Sequence, residues 1–458
     1  MSPGGYLHRA VPQSVILPAA LREIPILVII ERPDKAAGAS IESDGYDSML
    51  TIRNGKTYVK GGAFDERTLY VKDGRFVSVK EAGEVPAGGV SEEVDASGCF
   101  VIPGLTDLHF HGCVGFTVGN GTDEAIETIA RYEAASGITQ ICPATSTAAE
   151  DTLTAAAQCA CRFAKRQNIG MVTENDGTDP GPSPTGADPR DPVFASLVGL
   201  HMEGPFFSYE KRGAQDPIFL REPDAAMAER LRIASGGLYK IMDLAPELPG
   251  ADEFILAEKE HAVISLAHSA ADYETSVHAM ELGVSHMTHL YNGMKGIAHR
   301  APGPVMAAMD CPHVEAELIC DGVHVKAPVV RATFRFLGKE RIIMISDSLA
   351  VAGRPDGIYL FGRQPVRKEG KLCTLEGTDT IAGSCANLMQ GMVNAVLEMG
   401  IPLSDAVLCA AENPVRCLGL SDQFGTLDPG KWASFVLLDE NDLSVRAVYN
   451  RGVKIPAE

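Results

Sequence analysis

Short apolar runs recur through the middle of the chain, and their number constrains the fold more than any other feature of the sequence. A segment of helical character follows each of them. The runs span residues 101–108, 138–144, 198–203, 241–245, 263–268, 284–289, 314–321 and 342–347. Continuous apolar strands that alternate with helices are typical of a parallel sheet buried on both faces. Eight such strands predict an α/β fold built on a closed (β/α)8 TIM-like barrel.

Polar residues stand at the ends of most of these runs. They are His109, His111, Glu203, His268, His289, His324 and Asp347. The carboxyl ends of all strands of such a barrel face one common cup, which is where its active sites lie. We therefore expect these residues, which are far apart in the sequence, to converge there.

The converging side chains have the donor chemistry of a metal site. His109 and His111 are separated by one residue, so in an extended segment both rings project to the same side. Burying several histidines with two carboxylates is costly unless a cation or another charge balances them. Nitrogen and oxygen ligands suit a divalent zinc, iron, manganese or cobalt ion. Asp347 can either bind such a metal or act as a general base, and the alternative for this residue is a helix cap.

The charge and the cysteine content exclude several other classes. The chain has 60 acidic and 40 basic residues, a net charge of −20, and this field repels nucleic acid and anionic membranes. None of the apolar runs approaches the ~18 residues of a membrane span. The 11 cysteines lack the dense spacing of a secreted disulfide framework. We therefore expect a cytoplasmic protein with a small-molecule substrate and no nucleic-acid or membrane partner.

The two ends of the chain differ from the middle. Residues 1–47 contain five prolines that interrupt any long element, and we interpret them as an extension of unknown role. Residues 69–79 predict a β-hairpin that turns at Asp73 and Gly74. Two further β-rich segments, 434–438 and 444–449, lie near the carboxyl end. A stretch rich in aspartate, glycine and proline, 174–192, predicts an exposed loop.

Several motifs give the middle of the chain a specific resemblance. In order they are PGLTDLHFHG (103–112), HMEGPF (201–206), LAPE (244–247), AHS (267–269), THLYNGM (288–294), AELICDGVH (316–324), SDSLAVAG (346–353), IAGS (381–384), NPVRCLGL (413–420) and GTLDPGK (425–431). This set resembles the N-acetylglucosamine-6-phosphate deacetylases of the amidohydrolase superfamily. The resemblance extends from about residue 65 to the carboxyl end. It implies a small β-sandwich from 48–102 plus 425–458, a barrel over 103–424, and a homodimer.

The resemblance also implies roles for individual residues. Glu203, His268 and His289 match the main metal ligands of the family, and His109 with His111 match a second-site pair that some members keep, so that one or two metals are expected per subunit. Asp347 matches the catalytic acid and base. The positions that match substrate contacts are Gln215, Asn292, Gly293, His324, Arg300, Ile381, Ala382 and Gly383. Arg300 and His324 match residues that bind the sugar and its phosphate, a role for which a planar guanidinium is well suited.

This chain departs from the family pattern at three places. Gly293 stands where many members have alanine, and Gln215 stands where some carry a histidine that polarises the acyl oxygen. Glutamine can still donate a hydrogen bond through its amide but cannot carry a charge. Segments 1–47 and 174–192 have no clear counterpart in the family.

The sequence therefore predicts an enzyme, a metal-dependent deacetylase of N-acetyl-D-glucosamine 6-phosphate that acts in amino-sugar catabolism. One alternative is the galactosamine epimer, because the orientation of one hydroxyl is read by details of the pocket. An amidohydrolase acting on cyclic amides is disfavoured, since those members often bridge two metals with a modified lysine where this chain has Glu203. A non-catalytic sugar-phosphate-binding relative is also disfavoured, because binding alone does not require Asp347. The motifs leave the metal identity and the number of metals open.

Overall fold

The computed structural model describes residues 49–78, 91–172 and 180–456. The predicted extension 1–47 lies outside these residues, as do Val79 at the end of the predicted hairpin and residues 174–179 of the predicted loop. The rest of that predicted loop, 180–192, contains turns and bends but no helix or strand.

Parallel strands form the centre of the molecule, and their spatial order follows the chain. A three-stranded sheet contains Leu105–Asp107, Ile138–Ile141 and Ser196–Leu197, with Ile138–Ile141 in the middle. A seven-stranded sheet contains, in order, Ala144–Thr145, Leu200–Met202, Tyr239–Leu244, Val263–Leu266, Val284–Met287, Glu315–Ile319 and Ile342–Ile345. Each of the eight predicted runs thus contains a parallel strand. These strands are almost entirely buried, as expected for a sheet covered on both faces.

Helices connect and cover the strands. The α-helices are Asp123–Ala135, Glu150–Gln167, Ala225–Ala234, Ala251–Glu258, Tyr273–Leu282, Gly303–Asp310, Ala327–Leu337, Leu388–Leu397, Leu403–Val407 and Asn413–Cys417. Short 3₁₀ turns occupy Val118–Asn120, Tyr209–Lys211 and Lys339–Arg341, and a π-helical turn occupies Leu408–Glu412. Thr122, Asp224, Asp272 and Asn387 accept a hydrogen bond from the first turn of the helix that follows each of them. Such caps fix where these helices begin.

The first predicted run is divided between two sheets, so the prediction of one strand over 101–108 was wrong. Cys99–Pro103 pairs with Phe435–Asp439 in an antiparallel arrangement, whereas Leu105–Asp107 belongs to the parallel sheet. The division falls at Gly104, where a Cβ atom would lie 1.9 Å from Oγ1 of Thr139. Only glycine permits the backbone to pass this close to the neighbouring strand.

Two mixed sheets contain the strands near the two ends of the described chain, and the second of them combines amino-terminal with carboxyl-terminal strands. One contains Arg75–Val77, Leu69–Lys72, Met49–Arg53 and Ser91–Asp95 in that order. The other contains Val453–Lys454, Val445–Asn450, Phe435–Asp439, Cys99–Pro103, Lys56–Val59 and Ala63–Glu66. The predicted hairpin is confirmed, since its strands pair antiparallel and Asp73 and Gly74 have φ angles of 51° and 72°. The two predicted β-rich segments near the carboxyl end are also confirmed.

A three-stranded antiparallel sheet that the sequence did not predict lies after the last parallel strand. It contains Gly357–Phe361, Gln364–Glu369 and Leu372–Leu375. Several apolar side chains of its strands, such as Ile358 and Leu360, are exposed, and alternate side chains such as Phe361, Val366 and Cys373 are buried in a small separate core. A two-stranded ribbon pairs Gly112–Cys113 with Phe116–Thr117. The three-stranded sheet reaches the candidate site through Phe361.

Candidate active site

A cavity of about 290 Å³ lies at the carboxyl ends of the parallel strands. Its walls are formed by His111, Glu203, Gly213, Ala214, Gln215, His268, His289, Asn292, Gly293, His324, Asp347, Phe361, Asp379, Thr380, Ile381, Ala382 and Gly383. All predicted site residues except His109 and Arg300 are among them. A larger cavity of about 580 Å³ adjoins it, and the two share His111 and Phe361. The predicted convergence is therefore present in the structure.

Three of the site residues have a left-handed backbone. His268, His289 and Asp347 have φ angles of 43°, 31° and 52°, and each lies just beyond the end of a parallel strand. Non-glycine residues in this region are strained and cluster at functional sites. Hydrogen bonds on both sides hold Asp347 in place, since its N–H donates to the carbonyl of His109 at 2.9 Å and its carbonyl accepts from Ser384 at 2.8 Å. This conformation turns the side chain of Asp347 into the cavity.

Glu203 lies at the centre of the site. Its Oε1 atom is 3.1 Å from Nε2 of His268 and 3.2 Å from Nε2 of His289, and these two nitrogens are 3.1 Å apart. Ligands bound tetrahedrally at about 2.0–2.1 Å are separated by about 3.3 Å. The three atoms therefore already have nearly the spacing of ligands around one cation.

A second set of donor atoms shares Glu203 with the first. Nε2 of His111 lies 3.2 Å from Oε2 of Glu203 and 3.5 Å from Oδ1 of Asp347. Nε2 of His109 lies 3.6 Å from Oε1 of Glu203 and 3.8 Å from Oδ1 of Asp347. His109 is fully buried and lies directly behind the cavity. Glu203 thus belongs to both groups of possible ligands.

The ionisation of these residues reflects their mutual attraction. Burial opposes the charged form of Glu203, but His111, His268 and His289 hold the pKa of its carboxyl well below the ordinary range. Burial likewise opposes protonation of the rings, yet neighbouring carboxylates raise the pKa of His111 to about 10. The same competition raises the pKa of His109 and of His289 to about 9. In the metal-free protein, protons supply the positive charge that this cluster of carboxylates requires.

Gln215 contacts the central carboxylate. Its amide nitrogen donates to Oε2 of Glu203, while its amide oxygen accepts from the backbone N–H of Thr147 at 2.8 Å. The second contact fixes which end of the amide faces Glu203. An amide nitrogen carries two hydrogens, and the contact with Glu203 uses one of them.

The close packing around His268 explains one departure from the family pattern. Gly293 has a φ angle of 61°, and a Cβ atom at this position would lie 2.7 Å from Nδ1 of His268. Glycine therefore lets the segment pass directly over the ring. The neighbouring Asn292 donates its side-chain amide to the carbonyl of His289 at 3.1 Å. This bond holds the segment against the end of the strand Val284–Met287.

His324 lies on the wall of the cavity and is held by Asp321. Nδ1 of His324 is 2.7 Å from Oδ2 of Asp321, and this carboxylate raises the pKa of the ring against the opposing effect of burial. Ile381, Ala382 and Gly383 pass along the cavity, and the N–H of Ala382 donates to the carbonyl of Cys373 at 3.0 Å. Arg300 does not join this group. Its side chain is exposed in the segment 295–302 and does not line the cavity.

Comparison with known proteins gives this site a family. The model of the "Amidohydrolase family" matches residues 100–455, which is most of the chain. The chain belongs to the amidohydrolase family. It is therefore a hydrolytic enzyme, and the resemblance noted from its motifs is confirmed. The described residues contain no helix that is long and apolar enough to cross a membrane.

Individual amidohydrolases resemble the chain over most of its length. The N-acetylglucosamine-6-phosphate deacetylase of Vibrio furnissii is 32% identical and covers 81% of this chain and 85% of its own. The N-acetylgalactosamine-6-phosphate deacetylase of Escherichia coli O157:H7 is 30% identical, covering 88% of this chain and 98% of its own. A solved structure of a Mycobacterium smegmatis N-acetyl-D-glucosamine-6-phosphate deacetylase, in complex with N-acetyl-D-glucosamine-6-phosphate, is 30% identical. It covers 90% of this chain and all of its own, with a TM-score of 0.76.

The sequence analysis did not predict a group of buried polar residues that lies beneath the cavity. His201, Asp243, His286 and Glu317 are fully buried inside the parallel strands, and we call them the inner layer. Nε2 of His201 lies 2.8 Å from Oδ1 of Asp243, and Nε2 of His286 lies 3.2 Å from Oε1 of Glu317. Histidines and carboxylates at mid-strand positions were the available signal. We call Glu203, His111, His268, His289 and Asp347, which line the cavity, the pocket cluster.

Proposed function

We propose that the protein hydrolyses the acetamide of N-acetyl-D-glucosamine 6-phosphate to D-glucosamine 6-phosphate and acetate. The observation that carries this proposal is the arrangement of Glu203, His268 and His289 around one point, with Asp347 beside them in the same cavity. Relatives with the matching activity in their names support the choice of substrate, and a role in amino-sugar catabolism follows from it.

The donor set fits one or two divalent cations. Glu203, His268 and His289 would hold the first, and His109, His111 and Glu203 would hold the second. Imidazole and carboxylate ligands suit zinc, iron, manganese or cobalt. When bound, such an ion lowers the pKa of water from ~16 toward ~7 and so supplies hydroxide near neutral pH.

Asp347 would move the proton. Burial opposes the charged form of its carboxylate, but a hydrogen bond with His111 and the charges of His109 and His111 hold its pKa below the ordinary range. An ionised Asp347 can accept a proton from the attacking water as the oxygen adds to the acetyl carbon. It then donates this proton to the nitrogen as the carbon–nitrogen bond breaks. One residue thus serves as base and then as acid, and the products are the amine and acetate.

The other cavity residues would orient the substrate. Gln215 has an amide hydrogen available for the acyl oxygen, where negative charge develops in the transition state. Asn292, Gly293, His324 and the backbone of Ile381–Gly383 would contact the sugar. We assign Arg300 to the phosphate, as its position in the family pattern implies, although its side chain is exposed and outside the cavity walls.

We further propose that the parallel strands close into a (β/α)8 barrel with a small β-sandwich at its side. Continuity of the two parallel sheets supports closure, since segments 138–145 and 196–202 pair with each other in both sheets, and Val198 donates to Ile141 and His201 to Pro143 along this pair. Backbone hydrogen bonds of Asp347 and His111 likewise join the segment after the last parallel strand to the segment after the first. Residues 48–102 plus 425–458 would form the sandwich and residues 103–424 the barrel. The homodimer and the cytoplasmic location expected from the sequence stay predictions.

The second candidate substrate is N-acetyl-D-galactosamine 6-phosphate. It is favoured by a relative of that activity whose identity to this chain differs by only two percentage points from that of the Vibrio furnissii enzyme. The two sugars differ in the orientation of one hydroxyl, and both would present the same acetamide to Asp347.

Acetate release from three sugars tests this proposal. The substrates are the two 6-phosphorylated N-acetylhexosamines and unphosphorylated N-acetylglucosamine. We expect kcat/KM to be highest for N-acetylglucosamine 6-phosphate, by on the order of tenfold or more over each of the others. Arg300→Ala should raise KM about tenfold for the phosphorylated sugar with little change in kcat, and the exposed Arg335→Ala is the matched control. A preference for the galactosamine epimer would select the second candidate, and no acetate from any sugar would refute both.

A further inference from the structure

Glu317 of the inner layer contacts residues of both candidate metal sites without reaching the cavity. Its side chain is fully buried in the strand Glu315–Ile319. Oε2 of Glu317 is 2.8 Å from Nδ1 of His109 and accepts the backbone N–H of His289 at 3.0 Å. Its other oxygen, Oε1, is 3.2 Å from Nε2 of His286. One carboxylate oxygen therefore touches a ligand candidate from each site.

The contact with Glu317 determines which nitrogen of His109 faces the cavity. Because Nδ1 donates to the carboxylate, the ring must direct Nε2 away from it. That Nε2 atom is buried and has no hydrogen-bond partner among the residues that the structure describes. It points toward Glu203 and Asp347 at 3.6 and 3.8 Å. A buried polar atom without a partner is costly, and a cation at this point would satisfy it.

The backbone contact acts on the other site. His289 has a φ angle of 31°, and the Oε2 atom of Glu317 receives its N–H directly. This bond helps to hold the left-handed turn that directs Nε2 of His289 toward Glu203. Histidines that bind metals usually donate their second N–H to a carboxylate or carbonyl, which fixes the ring orientation. For His109 that acceptor is Glu317.

Glu317 is not arranged as a metal ligand itself. Its carboxylate lies near His109 and His201, and these three could in principle surround an ion. However, both ring nitrogens of His201 already have partners, since Nδ1 lies 3.1 Å from the carbonyl of Leu108 and Nε2 lies 2.8 Å from Asp243. The Nδ1 atom of His109 is likewise engaged with Glu317. The ring nitrogens that an ion at this trio would need are therefore already hydrogen-bonded.

We propose that Glu317 is a positioning residue that fixes the His109 ring, and through it makes His109 and His111 a working metal-ligand pair. This inference rests on the proposed function only for the statement that the pocket cluster binds metal. Its test uses metal binding, so that it can fail or succeed independently of the choice of sugar.

The test compares zinc binding by the native protein and four variants. Each protein is stripped of metal and dialysed against buffered Zn²⁺ over a range of free concentrations, and bound metal is measured by mass spectrometry. His109→Ala defines the contribution of the second site. Glu317→Leu removes the acceptor, whereas Glu317→Gln keeps an oxygen for the two N–H donors and turns its amide hydrogens toward His286. Asp243→Asn is the matched control, because Asp243 is an equally buried inner-layer carboxylate that contacts His201 instead of a ligand candidate.

We expect Glu317→Leu to weaken zinc binding at the second site by about 10–100-fold, the loss typical of removing such an acceptor. Glu317→Gln should remain within about threefold of the native protein, and Asp243→Asn should bind as the native protein does. The inference is overturned if Glu317→Leu binds with native affinity, if His109→Ala loses no metal, or if Asp243→Asn weakens binding as much as Glu317→Leu.

A second measurement applies if Glu317→Leu does not fold. The ¹⁵N spectrum of the zinc-loaded native protein and of Glu317→Gln reports which nitrogen of His109 carries hydrogen. We expect hydrogen on Nδ1 and none on Nε2 in both proteins. Hydrogen on Nε2 of His109 in the native protein would contradict the proposal. Acetate release from N-acetylglucosamine 6-phosphate by the native protein is recorded in parallel, so that failure of the proposed function is seen separately.

Discussion

The pocket cluster and the inner layer are built from the same residue types, yet they differ in how their polar atoms are satisfied. In the inner layer, His201 has a partner for each nitrogen, and Asp243 accepts from both His201 and Thr288 at 2.8 Å. In the pocket cluster, Glu203 is crowded by the ring nitrogens of His111, His268 and His289 at 3.1–3.2 Å. The Nε2 atoms of His268 and His289 converge on the same oxygen of Glu203 and are only 3.1 Å from each other.

This difference teaches that the type and burial of a residue do not by themselves identify a catalytic site. The polar side-chain atoms of the inner layer are hydrogen-bonded except Oδ2 of Asp243, which has no partner among the described residues, and this network stabilises the strands and orients His109 above it. The pocket cluster has atoms that converge on a common point beside a cavity, and such a point suits a cation. His109 joins the two regions, with Nδ1 in the inner layer and Nε2 directed at the pocket cluster.

The largest effect is expected from a matched pair of variants, one in the pocket cluster and one in the inner layer. Glu203→Gln should lose bound metal and reduce deacetylation by on the order of 10³ or more, because the Glu203 carboxylate is a ligand in both proposed metal sites. Asp243→Asn should keep its metal and instead lower the free energy of unfolding by about 1–3 kcal/mol, since it leaves a buried amide poorly paired. Metal analysis, acetate release and urea unfolding measure these outcomes. Metal loss in Asp243→Asn but not in Glu203→Gln would reverse the assignment of the two regions.

Within the pocket cluster, Asp347→Asn should separate metal binding from proton transfer. We expect a folded, fully metallated protein whose kcat is lower by on the order of 10² or more, with KM nearly unchanged. Asparagine is close in shape but cannot accept a proton from water and return it to the amine. Steady-state kinetics with metal analysis give the answer. If Asp347 were only a helix cap, asparagine would replace it equally well and turnover would stay near normal.

The smallest effect concerns pH. In the metal-free protein the pKa values of His109, His111 and His289 are raised from 6.5 to about 9, 10 and 9. Their protonation therefore contributes stability that is complete below about pH 6.5 and is lost as the pH rises to 9–10. A bound metal replaces these protons, so its stabilising effect should grow as the pH rises.

Thermal unfolding at pH 6 and pH 8 with a fixed, buffered concentration of free metal checks this expectation. The increase in Tm upon addition of metal should be larger at pH 8, by a few degrees. The metal-free protein at each pH is the control, and it also removes the contribution of His286, whose pKa is raised against burial by Cys417 and Glu317. An equal or smaller increase at pH 8 would contradict the displacement of protons by metal.

The sequence predicted those features that depend on local pattern. The run 342–347 contains the fully buried strand Ile342–Ile345, and the polar residues at the ends of such runs line the cavity because parallel strands end on one side. The inner layer could not be predicted in this way. Glu317 and His286 lie within strands, and their side chains are buried. The contact between these two side chains depends on the register of neighbouring strands, which no local sequence pattern specifies.

Other features depended on long-range packing. The division of the first run at Gly104 is set by the approach of Thr139. The sheet formed by residues 357–375 was not predicted, because it is antiparallel, exposes apolar side chains such as Ile358 and Leu360, and buries only a few residues in a core of its own. Arg300 was assigned through the family motif alone, and its exposed position in the structure leaves its phosphate role a prediction.

Acetate release before and after metal addition tests the central claim most directly. The protein is stripped with a chelator, dialysed, and assayed on N-acetylglucosamine 6-phosphate, and then single divalent metals are added back. We predict background release in the metal-free protein and recovery with at least one of zinc, iron, manganese or cobalt, whereas Asp347→Asn should take up the same metal without comparable recovery. Full activity in a rigorously metal-free sample would contradict the account.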